Sequence, residues 1–280
     1  MGLIDFILNL AGLLLWLNWR TSGFDPLARA TPATLAGTLR RAGGRKLKRW
    51  HFPLLLAGLI LLRALFYWQI GSAVSWTASL DLGVISLSFR SDLFGLMLAF
   101  SILSFLGFLG IFFLWLVLLS ILKRQTPDID PAHRFVRHQL GPLDLWPRWV
   151  KMFVPLLGGV VVWWLLHWPL VRWGVLPPAA SWTHLAEQSF VIGLCCYLPW
   201  KLLIAALFVL DLVTAYIYLG NHPLWHYIHH VSQTLLSPLG SLPLRVGRVD
   251  FAPALGLVIL FGLATLYKIG VDRLYALLPI

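Results

Sequence analysis

The sequence predicts an all-α polytopic membrane protein, and three observations carry that reading. Hydrophobic residues make up 59% of the 280, whereas Asp, Glu, Lys and Arg together make up 12%, about half of the ~25% found in soluble globular chains. Mean hydropathy is +0.80, with 15 Trp and 17 Phe. The apolar residues fall into six runs, most of them long enough to cross a hydrocarbon core. A compact soluble particle has too much surface for so few charges. Disorder, a secreted disulfide scaffold and a soluble dinucleotide-binding enzyme are therefore excluded.

The six runs cover residues 4–17, 52–70, 93–122, 152–168, 189–219 and 252–270. The first is short of the ~20 residues that span a bilayer, so it is expected to extend through Trp19, to tilt or to lie partly in the interface. No basic segment precedes it and no small-residue cleavage site follows, so it is not read as a signal peptide. The third and fifth runs are long and imply tilt or protrusion. Pro199 lies within the fifth and is expected to kink it. Cys195 and Cys196 are adjacent in an apolar run and read as small hydrophobes.

Charge sets the orientation. Residues 18–51 carry eight Lys/Arg, 123–151 carry six and 220–250 carry two, whereas the opposite connections carry only Arg90, Arg172 and Arg273. The positive-inside rule then puts the basic loops in the cytoplasm and both termini outside. The expected location is a bacterial inner membrane, crossed by a multi-pass chain. The net charge of +11 is read as topology and contact with anionic headgroups, carried most densely by Arg40, Arg41, Arg45, Lys46, Lys48 and Arg49. No nucleic-acid motif accompanies it. Of the opposite connections, residues 75–90 alternate in their second half around Gly83, which predicts a small outer β-hairpin. The stretch 173–182, with Pro177-Pro178, reads as an irregular loop whose Trp residues anchor at the interface.

The basic loops resemble one another. Each opens on an Asp-Pro or His-Pro step, at Pro26, Pro131 and Pro223, continues through one amphipathic helix, and reaches a second proline at Pro53, Pro155 or Pro253. Proline lacks an N–H but tolerates the first helical turn, so it ends one helix and begins the next. The linking helices are expected in the headgroup plane. The organisation is therefore three tandem hairpins with cytoplasmic interfacial helices: 1–72, 93–175 and 189–280, with the outer hairpin at 73–92.

In the third unit Asn221 and Pro223, Leu-Leu-Ser-Pro-Leu with Pro238, and Val-Asp-Phe-Ala-Pro with Asp250 and Pro253 resemble the signature of the YggT family. That pattern runs from Asn-Pro through an amphipathic helix and a Pro-hydrophobic step to an Ile-Asp-[Leu/Phe]-Ser-Pro entry into a helix; Ala252 replaces the usual Ser. The match covers about the last 60–70 residues well. It covers the first two units faintly, because Phe52-Pro53 and Val154-Pro155 lack the Asp. Family members commonly have two hairpins, against three here. The resemblance implies a small integral membrane protein without established catalytic activity. Such proteins are linked to osmotic tolerance, cell division or nucleoid distribution, and cytochrome-complex assembly.

Three constellations invite chemistry. His222, His226, His229 and His230 share one helix face, a spacing that could hold a transition metal or haem. No carboxylate is evident nearby, and the reading adopted is a polar interfacial face, so no metal or cofactor is expected. His51 and His167 fall near opposite membrane faces, which is poor geometry for one haem. Arg63 and Asp211 both lie about 14–16 Å from the cytoplasmic face at 1.5 Å per residue. Equal depth and opposite sign suggest an ion pair between units one and three. Lys201 and Lys268 are expected to snorkel. No zinc-protease, nucleophile-elbow or phosphate-loop motif appears, and Asp211 is the one acid read as deep. Ser101, Ser104, Gly107 and Gly110 read as helix-packing residues. No catalytic residue is assigned and no enzyme is expected. The function expected is a scaffold, assembly or accessory subunit of a larger membrane complex, with other integral membrane proteins and anionic lipids as partners. An ion or osmolyte channel or transporter subunit and a haem- or metal-handling assembly factor are the alternatives.

Overall fold

The computed structural model describes residues 2–21, 49–74, 77–122, 131–179, 181–217, 223–239, 245–246 and 249–278. Among the described residues, six stretches are long and apolar enough to cross a membrane: Gly2–Thr21, His51–Gly71, Phe94–Leu122, Arg148–Arg172, Trp182–Tyr216 and Ala252–Ala276. They mark the chain as a multi-pass membrane protein. The first linking helix, the basic residues Arg40, Arg41, Arg45, Lys46 and Lys48, and the motif residue Asn221 lie outside the described residues.

The chain divides into two compact units, residues 1–80 with 88–110 and residues 81–87 with 111–280. The first unit contains α1 (Gly2–Thr21) and α2 (His51–Val74), which pack on one another. Helix α1 is a full 20 residues long, so the first span is not the short element its apolar run suggests. It begins with Asp5 in its first turn and ends with Arg20 in its last, charges that match the helix dipole at both ends. Helix α3 (Phe94–Leu122) gives its first part to this unit. A Cβ on Gly12 would stand 2.8 Å from the Phe105 ring, so α1 meets α3 closely there. Phe100 packs against Tyr67 and Phe89 at ring-centre distances of 6.0 and 5.7 Å. Gly107 and Gly110, expected to support packing, face no described atom within 4 Å.

Strands β1 (Thr77–Asp81) and β2 (Ser86–Arg90) form the expected hairpin. Gly83 takes φ +97° at its tip, a conformation that glycine adopts without strain. The tip does not stand clear as a separate outer element. Val84 packs on Val191, Cys195 and Val271.

The second unit holds both remaining linking helices. Helix α4 (Pro131–Leu140) starts on its proline, as the sequence predicts. It buries Val136 and Leu140 against Leu116 and Val117 and exposes Arg134 and Arg137. A 3-10 turn, Gly141–Leu145, leads to α5 (Arg148–Arg172). Pro155 was expected at the start of this span. The helix begins seven residues earlier, and Pro155 sits buried inside it. Helices α6 (Trp182–Cys195) and α7 (Trp200–Tyr216) together make the fifth span. Ser181 caps α6 by accepting from the His184 N–H at 3.1 Å, as N-cap serines do.

The kink expected at Pro199 is a stretch of turns, residues 196–199, between α6 and α7, held by backbone bonds such as Leu198 N–H to the Cys195 carbonyl at 3.0 Å and Leu202 N–H to the Pro199 carbonyl at 3.2 Å. Two indoles close it. Trp115 Nε1 donates to the Pro199 carbonyl at 3.0 Å, and Trp200 Nε1 donates to the Leu114 carbonyl at 3.0 Å. Helix α8 (Pro223–Leu236) also starts on its proline, packs against α4, and buries Val231, Ser232 and Leu236. Pro238 lies in a 3-10 turn, Ser237–Leu239. Strands β3 (Arg245–Val246) and β4 (Val249–Asp250) pair antiparallel, with Arg245 opposite Asp250. Pro253 is buried in the first turn of α9 (Ala252–Ala276), which packs on α7.

Helix α5 packs most extensively on α6, and two glycines allow it. A Cβ on Gly193 would lie 2.6 Å from the Leu156 carbonyl oxygen, and one on Gly159 would lie 2.7 Å from the Gly193 Cα. The obstacles are backbone atoms, so the helices themselves would have to separate. Gly193→Ala is expected to destabilise the second unit by about 1–3 kcal/mol. Gly158→Ala is the control: nothing lies within 4 Å there, and Gly to Ala in a helix stabilises by roughly 0.5–1 kcal/mol. Unfolding midpoints in mixed micelles test this. Equal shifts for the two variants would remove the close backbone contact as the cause.

Candidate functional site

Among the described residues, the buried charges Arg63, Asp211 and Lys151 each sit in a polar cluster. In the first unit Arg63, 3% exposed, comes from the middle of α2. Its Nη2 meets Asp5 Oδ1 at 2.7 Å and Ser104 Oγ at 2.9 Å. Its Nη1 donates to Asn9 Oδ1 at 2.7 Å. Asn9 Nδ2 donates to Ser104 Oγ at 3.1 Å, and the Tyr67 hydroxyl donates to Asp5 Oδ1. The guanidinium also lies 5.4 Å from the centres of the Tyr67 and Phe100 rings, within cation–π range. Arg63 thus joins α1, α2 and α3.

The expected pairing of Arg63 with Asp211 is not what forms. Arg63 takes Asp5 from its own hairpin, an acid that falls four positions into the chain's first helix. Asp211, 4% exposed, takes His229, with Nδ1 2.7 Å from Oδ1. Two further expectations change with this. Asp211 is not the only acid joined to a buried group, and the histidine face on α8 does have a carboxylate beside it. His226, His229 and His230 are exposed on α8, and His222 lies outside the described residues. Among the described residues no group of three His, Cys, Asp or Glu is placed to hold a metal.

The third cluster was missed by sequence reasoning because its lysine counts as one more basic loop residue. Lys151 is 6% exposed in the first turn of α5. Its Nζ donates to Ser120 Oγ and to the Asp144 carbonyl, both at 2.7 Å, and lies 3.6 Å from Asp144 Oδ1. Ser120 in turn donates to Asp144 Oδ1. The ammonium has two hydrogen-bond acceptors and a carboxylate within ion-pair distance, so this group is a clamp between the end of α3 and the start of α5. Serine, lysine and aspartate here form one hydrogen-bonded group.

Elsewhere, Arg49 lies with its guanidinium 5.9 Å from the Trp19 ring centre. His167 is 6% exposed beside Trp163, with ring centres 6.1 Å apart. Ser101 is fully buried. Of the residues that carry the resemblance, Pro223 opens α8, Asp250 ends β4 and Pro253 enters α9. Compared with protein-family models, with curated proteins and with solved structures, the chain matches none.

Proposed function

We propose that the chain is a non-enzymatic, YggT-like scaffold or accessory subunit of a larger membrane complex. One observation carries this reading: the buried charges Arg63, Lys151 and Asp211 each have an oppositely charged or ionisable partner within their own unit. Charges held this way fix helix packing. What the spans offer outward is mostly apolar, and no more than 28% of any span's apolar window is buried within the chain. Such surfaces are suited to lateral contact with other helices.

In this reading the protein sits in a bacterial inner membrane, with its basic loops cytoplasmic and its termini outside. The exposed Arg134 and Arg137 of α4 meet anionic lipid, worth about 1 kcal/mol for each basic residue near the surface. The test is purification from native membranes in mild detergent, followed by quantitation of what remains attached. A companion protein at constant ratio through successive columns is expected. A chain that emerges without any companion, in detergents that preserve other membrane assemblies, overturns the scaffold.

A further inference from the structure

The strands β1 and β2 alternate in what they cover and what they show. Ala78, Leu87 and Phe89 are buried and Leu80 is half-buried, while Thr77, Ser79, Asp81, Ser86, Ser88 and Arg90 are exposed. Each strand therefore carries a polar row opposite its apolar one. These rows run deep. At the tip, a Cβ on Gly83 would stand 3.0 Å from Cys195 Sγ, and the neighbours of Cys195 fix its level. Gly193 approaches the Leu156 carbonyl, the Tyr197 hydroxyl donates to the Met152 carbonyl, and the Trp200 indole donates to the Leu114 carbonyl. The hairpin joins α3 at its Phe94 end. Leu114 is 20 positions further along that helix, about 30 Å at 1.5 Å per residue. Leu156 is 16 positions from the Arg172 end of α5, about 24 Å. The strand length agrees: Gly83 and Arg90 are seven positions apart, about 23 Å at ~3.3 Å per residue. Against a hydrocarbon core of about 30 Å, the hairpin re-enters the membrane from the face where α3 begins, with Asp81 and Ser86 toward its deep end.

Strand edges and polar side chains at this depth are stable only where protein or water meets them, since lipid offers no hydrogen bonds. Among the described residues, no backbone bond joins either strand to an element other than its partner strand. Asp81 has no ion-pair partner among them, whereas Arg90, at the shallow end, pairs with Asp92 at 2.7 Å. A covering protein is poorly served by these rows. They offer no aromatic or large apolar anchor, the side chains that carry most of the energy of an interface. Small hydroxyls and an unpaired carboxylate are the lining of hydrated paths for cations. We infer that the rows line a water-filled inlet, open at the face where α3 begins, in which Asp81 draws small cations. The inlet ends at the tip, where Val84 packs on Val191, Cys195 and Val271. On α9, Lys268 and Asp272 flank Val271 and offset one another in charge. The inlet goes beyond the scaffold reading and does not depend on it.

The test is thiol labelling of the full-length chain in lipid nanodiscs, with Cys195 and Cys196 first replaced by alanine. Ser79→Cys, Ser86→Cys and Ser88→Cys report on the polar rows. Leu157→Cys reports on lipid, because Leu157 is 59% exposed and follows Leu156 at the level of the tip. The probes are methanethiosulfonates carrying a trimethylammonium or a sulfonate group, each rate corrected for that with a free thiol. They react with the thiolate, which forms in water and not in hydrocarbon, so the three row cysteines are expected to react at least about tenfold faster than Leu157→Cys. At Ser86→Cys the cationic reagent is expected to outpace the anionic one, and Asp81→Asn is expected to erase that preference. Row cysteines as slow as Leu157→Cys overturn the inlet. Equal rates for the two reagents, or a cation preference that survives Asp81→Asn, overturn the role of Asp81. Labelling in nanodiscs that disappears in native membranes replaces the water with a covering protein. The unaltered chain gives an independent reading by hydrogen exchange. Outer-edge amides of β1 and β2 are expected to exchange while those in the middle of α3 stay protected, and uniform protection overturns the inlet as well.

Discussion

Asp5→Leu is expected to destabilise the first unit by about 3–5 kcal/mol, the range seen when one member of a buried ion pair is removed. The side chain of Arg63 is 2% exposed and that of Asp5 21%. Losing the acid therefore leaves a guanidinium in an apolar setting with only the neutral acceptors Asn9 and Ser104. The double variant Asp5→Leu/Arg63→Leu is expected to recover most of the loss, because no charge remains and Asn9 still bonds to Ser104. Recovery stops short of wild type. Tyr67 loses its acceptor, and an unsatisfied buried hydroxyl costs about 1–3 kcal/mol. The measurement is a double-mutant cycle on unfolding midpoints in mixed micelles. If Arg63→Leu is as damaging in the Asp5→Leu background as alone, the two side chains are not coupled and the cluster is not an ion pair in solution.

Lys151→Met is expected to have a similar effect on the second unit, about 3–5 kcal/mol, since Asp144 keeps its charge with a side chain 4% exposed. Ser120→Ala is expected to be milder, about 1.5–3 kcal/mol, the worth of one hydrogen bond to a charged group. Lys151 would retain the Asp144 carbonyl at 2.7 Å and the carboxylate at 3.6 Å. Hydrogen exchange locates the damage. Amides of residues 141–151 should lose protection in Lys151→Met before those of α9 do. Equal destabilisation by the two substitutions would show that Lys151 acts as a hydrogen-bond donor alone, with no weight on its charge.

The spans, the hairpin around Gly83 and the proline-led helices α4 and α8 were legible in the sequence because each rests on a local signal. Run length marks a span, a glycine between alternating residues marks a turn, and proline marks a helix start. Partners inside the membrane were not legible. In a soluble helix the apolar stripe shows which face packs, but lipid is as apolar as a neighbouring helix, so Leu and Phe surround both faces of α3 and hide which partners Ser104 and Ser120 meet. Counting residues gave Arg63 and Asp211 similar depth, and depth alone misassigned the pair. Asp5 was overlooked because it precedes most of the first apolar run, although a position in the first helical turn is one where an acid is favourable. The packing glycines were misjudged for a related reason. Gly107 and Gly110 have the spacing, but spacing does not reveal which side of a helix meets another backbone, and Gly159 and Gly193 do so.

The crossed indoles at the broken fifth span bear on how the protein is made. Trp115 and Pro199 are 84 positions apart, and translation at about 5–20 residues per second separates their synthesis by roughly 4–17 s. The third span, bearing Leu114 and Trp115, is thus synthesised before the turn at 196–199 leaves the ribosome. An interrupted helix entering the bilayer finds its receptor waiting, and order of birth becomes a chaperone for the joint.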